Sequence, residues 1–306
     1  MVTALSAASS TRYGVGTRTE TFVDGSRPTP PHNGLKGAAT RTLPTIVLYP
    51  TRDGAPGDLV QAARPIRRQF PLVVVIHGAS TGPTSNVGVL RQVAAAGYVV
   101  AMPKFPLTGD PTPGGIDSAD SVNEPADVSF VVDQLLRLTH DPRSSYHHVI
   151  RRDDVGVIGL SLGGSPALAL GYNTKYIDHR IDAVVAVSSA KTVPGLPAFA
   201  GTYTYPPTPL LLIRGTPPGD FAAGFSDQIF AEAHAPKFLL TVTNGQHVPP
   251  LVDDAGGRAS VRAAIAFLDR YLKSRHHALG VLFDQARDPS VATLQSVTRS
   301  HDAEEE

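Results

Sequence analysis

One stretch constrains what this chain can fold into: Asp153-Asp154-Val155-Gly156-Val157-Ile158-Gly159-Leu160-Ser161-Leu162-Gly163-Gly164-Ser165-Pro166-Ala167. The apolar run Val155 to Leu160 reads as a buried strand. It runs into Gly159-Leu160-Ser161-Leu162-Gly163, and an Ala/Leu-rich helical pattern follows. Strand, G-x-S-x-G, then helix is the setting of a nucleophile elbow. A serine on such a tight turn projects its hydroxyl from the sheet. Glycines two residues before and after it lack a Cβ and leave room for close backbone packing. The following helix opens with free N–H groups and a positive dipole end, which favours negative charge developing beside the serine. Gly and Ser are common enough that roughly one chain in ten of this length carries the motif by chance. The remaining chain has to supply the context.

The 306 residues are 42% hydrophobic and 18% charged, which suits one large α/β domain, or at most two domains. Lys+Arg and Asp+Glu balance at 27 each, so no global field favours nucleic acid or anionic lipid. There is no cysteine, which removes disulfides, thiolate catalysis and cysteine metal sites. Residues 1–10 show neither a basic n-region nor a sustained apolar h-region, and no apolar run reaches membrane-spanning length. A cytoplasmic location is the expectation, although a trimmed secreted form would read the same.

Residues 1–16 are small and polar and are expected to be a flexible N-terminus. Thr17 to Val23 and Leu43 to Tyr49 read as strands forming an antiparallel N-terminal edge, with a Pro/Gly-rich loop from Gly25 to Lys36 between them. Phe70 to Ile76 is continuous and β-branched, as in a strand buried on both faces. A helix over 87–96 and a strand over 98–102 follow. Then comes a long loop over 103–119, and a helix from Glu124 to His140 with Val128, Val131, Val132, Leu135 and Leu138 on one face. Past the serine, strands are expected at 181–187, 209–213 and 238–242, and helices at 227–233 and 260–272. Residues 17–280 thus read as one domain with a mostly parallel sheet covered by helices on both faces, and 281–306 as a polar tail.

Active sites in such sheets lie at the carboxyl ends of the strands. Four stretches fall there: His77-Gly78-Ala79-Ser80, Ser161, Gly215 to Asp220, and Asn244-Gly245-Gln246-His247. They assign Ser161 as nucleophile, His247 as base and Asp220 as acid. A serine hydroxyl needs an adjacent base at neutral pH. His247 can take that proton and return it to a leaving group, while a carboxylate holds the imidazole tautomer. The N–H groups of Leu162 and Ala79 are the candidate oxyanion donors, each worth roughly 3–4 kcal/mol of barrier. His77 reads as a shaper of its turn. The other histidines read as surface residues, and none has H-x-x-x-H metal spacing.

With these residues in place, the chain resembles the α/β-hydrolase superfamily. More narrowly, it is similar to dienelactone-hydrolase-like and platelet-activating-factor-acetylhydrolase-like bacterial esterases, which are related to cutinase-type polyester hydrolases. The resemblance covers roughly residues 15 to 275. It rests on Arg41-Thr42-Leu43 through Leu48-Tyr49-Pro50-Thr51, Val75-Ile76-His77-Gly78, Asn123 to Val131, Gly159 to Gly164, and Gly245-Gln246-His247. It implies carboxylic ester hydrolysis through an acyl-enzyme, a small-molecule ester substrate, and neither metal nor organic cofactor. The acid departs from the pattern. In these families it stands three residues after the glycine ending its strand, which here is Pro218, and Asp220 lies two residues further on. Either a longer loop swings Asp220 in, or the acid comes from elsewhere, with Asp227 and Asp182 next in line.

The loops over 103–119 and 191–207 are expected to border the pocket, with Tyr203, Tyr205, Phe199 and Phe105 as an apolar wall. The absence of tryptophan, and Leu162 where polyester hydrolases carry methionine, favour small acyl or short lipid esters over polymers. A non-catalytic scaffold that binds a ligand or partner is the alternative, and the displaced acid is its main support.

Overall fold

The computed structural model describes residues 12–298. Ten strands form one sheet: β1 (Gly14–Asp24), β2 (Arg41–Thr51), β3 (Leu59–Gln61), β4 (Phe70–Ile76), β5 (Val99–Pro103), β6 (Ile150–Leu160), β7 (Ile181–Val187), β8 (Leu210–Arg214), β9 (Lys237–Val242) and β10 (Ala292–Val297). Their spatial order is β10-β9-β8-β7-β6-β4-β5-β2-β1-β3. The six strands β4 to β9 run parallel. As the sequence led us to expect, β1 and β2 form an antiparallel N-terminal edge. Every residue of β4 and β5 is buried, the signature of strands covered on both faces.

Six helices cover the sheet: α1 (Pro83–Ala95), α2 (Glu124–His140), α3 (Gly164–Tyr172), α4 (Ala223–Glu232), α5 (Ala255–Leu272) and α6 (Ala278–Asp284). Alternation along β4 divides the core. Leu72, Val74 and Ile76 pack with Val128 of α2 and Leu168 of α3, while Val73 and Val75 pack with Leu90 of α1 and Leu268 of α5. Each such fully buried aliphatic side chain contributes about 1.5–3 kcal/mol. Three helices, α1, α4 and α5, start earlier than the apolar pattern suggests, and two of them show why. Pro83 stands in the first turn of α1, and the Asp254 carboxylate accepts the Gly257 N–H at 2.7 Å at the head of α5.

The C-terminal segment differs from expectation. Residues 281–297, read as tail, complete α6 and form β10, which pairs antiparallel with β9 from Ala292↔Val242 to Val297↔Lys237. Only Ala292 of β10 is fully buried. Pairing with the open backbone edge of β9 holds this strand, and such pairing leaves little hydrophobic trace. At the other end, the Arg12 and Tyr13 N–H groups donate to Ala95 O at the end of α1, and β1 begins at Gly14, inside the segment expected to be flexible. Residues 1–11 of that segment, and 299–306 of the tail, lie outside the described residues. None of the described helices is long and apolar enough to cross a membrane.

A buried charge cluster ties the N-terminal hairpin to α2. The Arg41 guanidinium, fully buried, donates to Asp120 at 2.7 and 3.1 Å and to both oxygens of Asp127 at 2.7 Å. Among the described residues Glu124, equally buried, accepts only the Thr108 hydroxyl at 2.6 Å, and its Oε2 has no partner there. Burial, reinforced by Asp127 and Asp120, pushes its pKa well above the ordinary 4.5. The folded state therefore keeps a proton that the unfolded chain releases, and stability falls as pH rises from the ordinary value toward the folded one. Glu124→Gln cannot ionise. In denaturant unfolding it should be more stable than the parent at about pH 8, with the gap closing toward about pH 4. A variant less stable at the alkaline end would contradict this reading.

Candidate active site

The chain leaves β4 toward one face, through α1. It leaves β6 toward the other, through α3. Because β4 lies between β5 and β6, a crevice opens outside the carboxyl ends of β4 and β6. Ser161 stands there, at the end of β6, with φ +52°. A non-glycine residue in this left-handed region is strained, and neighbouring geometry has to hold it. A Cβ on Gly159 would collide with Gly163 O and Ala167, and one on Gly163 with the carbonyls of Ile76 and His77. The glycines thus let the turn close against both α3 and the β4 loop.

Three side chains far apart in sequence meet on this rim. Ser161 Oγ lies 2.7 Å from His247 Nε2, and His247 Nδ1 lies 2.9 Å from Asp220 Oδ1. With a carboxylate at Nδ1 the ring carries its proton there, and Nε2 is left to accept the serine hydroxyl. Asp220 is completely buried. Besides His247, it accepts the Ser188 hydroxyl at 2.6 Å and the N–H groups of Gly215 (3.0 Å) and Ala222 (2.9 Å). Burial alone would raise its pKa, but the bonds from His247, Ser188, Ala222 and Gly215 outweigh it and hold the pKa below the ordinary 3.8.

The longer acid loop reaches the histidine because it packs on the β9 loop. Cβ atoms on Gly215 or Gly219 would strike the Gly245 carbonyl, and Thr216 Oγ1 accepts the Asn244 N–H at 2.9 Å. Asp227 instead pairs with Arg214 at 3.0 Å, and Asp182 accepts the Val155 N–H at the opposite end of the sheet.

Leu162 is the second residue of the turn opening α3, where N–H groups lack an intrahelical acceptor. Gly78 packs against Leu160 O and Ser161 Cβ, which brings the Ala79 loop beside the serine, and the Ala79 N–H has no acceptor among the described residues. His77 is buried. Its Nδ1–H donates to Gly78 O at 2.9 Å and its Nε2 accepts the Phe105 N–H at 3.3 Å. Burial pushes its pKa down to about 4. It is a neutral brace for this turn, as the sequence suggests.

The expected apolar wall is mostly core. Phe105 packs on His77, Tyr205 on Tyr172 and Phe199 on Tyr176, and all three are buried. The aromatic ring at the site is Phe221, 79% exposed and stacked on His247 at 4.2 Å. Its position directly after Asp220 was the available signal. Ser188 was also missed. It donates to Asp220 and accepts the Val248 N–H at 3.2 Å.

The sheet and its crevice define a protein of the α/β-hydrolase fold. No family model and no curated protein sequence matches the chain. Among solved structures it is similar to a ferulic acid esterase from Streptomyces cinnamoneus, with a TM-score of 0.66 over 88% of this chain and 93% of that chain, at 22% identity. At that identity the likeness shows the fold.

Ser188→Ala removes one of the four donors to Asp220 and strands the Val248 N–H. It should cost about 1–3 kcal/mol in denaturant unfolding at neutral pH. A depressed carboxylate contributes stability above its unfolded pKa and loses it as pH falls through the folded one. The deficit should therefore shrink in acid, and a pH-independent deficit would argue for packing loss alone.

Proposed function

We propose that the protein is a serine esterase that cleaves carboxylic esters of small acyl or short lipid type. The observation that carries this reading is the unbroken hydrogen-bonded chain Ser161–His247–Asp220 on the carboxyl rim of the sheet. The fold likeness to a ferulic acid esterase agrees with it. The non-catalytic alternative rested on the displaced acid, and the 2.9 Å contact between Asp220 and His247 removes that support.

In this reading Ser161 Oγ attacks the acyl carbon as its proton passes to His247 Nε2. The carbonyl oxygen, now negative, turns to the N–H groups of Leu162 and Ala79. Collapse expels the alcohol, which takes the proton from His247, and leaves an acyl-Ser161. Water, activated by the same imidazole, releases the acid and restores the serine. Asp220 stays ionised throughout, fixing the ring and stabilising the imidazolium.

Phe221 sits beside the imidazole that protonates the departing oxygen, so it is the surface for the alcohol half of the ester. Ser161→Ala should reduce hydrolysis of short p-nitrophenyl esters by roughly four to six orders of magnitude and abolish fluorophosphonate labelling, with the thermal transition in place. Persistent labelling would reject Ser161 as nucleophile. Phe221→Ala should raise KM for an aryl acetate about three- to tenfold, the worth of one aromatic contact, and leave KM for ethyl acetate nearly unchanged. Equal rises for both esters would remove Phe221 from the alcohol site.

A further inference from the structure

At the opposite edge of the sheet from Ser161, the amino ends of β4, β5 and β6 surround a cavity of about 80 Å³. Its lining is cationic: Arg12, Arg68, Arg151, Lys273 and Arg275. Two carboxylates stand against these five cations. Asp154 pairs with Arg151 at 2.7 Å, and Asp269 holds Lys273 at 2.8 Å and Arg275 at 2.9 Å. Arg12 and Arg68 face no carboxylate among the described residues. The whole chain is charge-balanced, so this concavity gathers an excess that the surface at large does not have.

The cavity is built rather than incidental. Gly97 lines it at φ +97°, where a Cβ would stand 3.2 Å from the Tyr13 ring and 3.6 Å from Lys273 Nζ. Lys273 is only 10% exposed in its side chain. It donates to Asp269 and, at 2.9 Å, to Ala96 O, and its ammonium lies 3.5 Å from the centre of the Tyr98 ring, which fixes its position at the cavity. The carbonyl end of α1 would repel an anion, but it is already occupied: Ala95 O takes the Arg12 and Tyr13 N–H groups, and Ala96 O takes Lys273. The Arg68 guanidinium stands 5.9 Å from the Phe70 ring centroid, which steadies it at the rim.

We infer that this cavity is an anion-binding site for a doubly charged tetrahedral oxyanion, phosphate either free or carried as a small phosphate monoester. The volume suits one such group, since it exceeds the space of a few waters. Forked guanidinium donors match phosphate oxygens in pairs, and a buried ammonium supplies a point charge. The site lies across the sheet from the ester-cleaving rim and does not depend on how that rim works. A ligand here would brace the N-terminal segment at Arg12 against the end of α5.

The test is titration calorimetry of the full chain with inorganic phosphate and, separately, phenyl phosphate, at constant ionic strength set with sodium chloride. Saturable heat is expected with at least one of the two. Phosphate alone would indicate a free anion, and phenyl phosphate alone a phosphorylated ligand. Arg12→Gln combined with Arg68→Gln changes two exposed side chains and should weaken binding at least tenfold, a loss that Ser161→Ala does not reproduce. Thermal stabilisation by the same anion should disappear in the double variant. No saturable heat with either anion, or equal affinity in the double variant, would overturn the assignment.

Discussion

The site hangs on one buried carboxylate. Asp220 accepts from His247, Ser188, Gly215 and Ala222, and these donors come from the loops that end β7, β8 and β9. A buried anion stripped of water is costly unless its lone pairs are filled. Here the cost is met by drawing three strand ends together. The same bonds hold His247 in one orientation, with Nε2 toward Ser161. Stability and orientation therefore have a common origin: the groups that make Asp220 tolerable also aim the imidazole.

Backbone strain collects on the same rim. Ser80, Ser161, Ser188, Asn244 and Val248 all have positive φ, and each follows a strand of the parallel core. Such residues cost about 1–3 kcal/mol each and persist only where surroundings over-determine them. Val248 is the most demanding, being β-branched, and its N–H is held by the Ser188 hydroxyl. The parallel strands below, buried on both faces, supply the rigidity that keeps these turns closed. The crevice exists because α1 and α3 leave neighbouring strands toward opposite faces of the sheet.

The parts of the fold visible beforehand share a cause. Runs such as Phe70–Ile76 and Ile181–Val187 are apolar because both faces are covered, and α2 shows its stripe because one face is. Elements held by hydrogen bonds rather than burial left no such trace. β10 is a polar edge strand paired with β9, β3 is three residues beside β1, and the start of α5 depends on a single Asp254 cap. At the site, Ser161 and His247 could be read from strand-turn-helix order and from position after the last parallel strand. Ser188 could not, because a serine donating to a carboxylate 32 positions away looks like any loop serine.

The sequence by itself determined the sheet-forming runs, the serine turn with its glycines, and the order serine, acid, histidine. These are local matters of Cβ sterics and hydrophobic period. Only the tertiary structure decided which carboxylate meets the imidazole, because that depends on the Gly215–Asp220 loop lying against Gly245. It also turned Phe221 outward over His247 while burying Phe105, Phe199 and Tyr205. It gathered Arg12, Arg68, Arg151, Lys273 and Arg275 from four distant segments into one cavity. Convergence of that kind is set by packing between elements, which no stretch of chain contains alone.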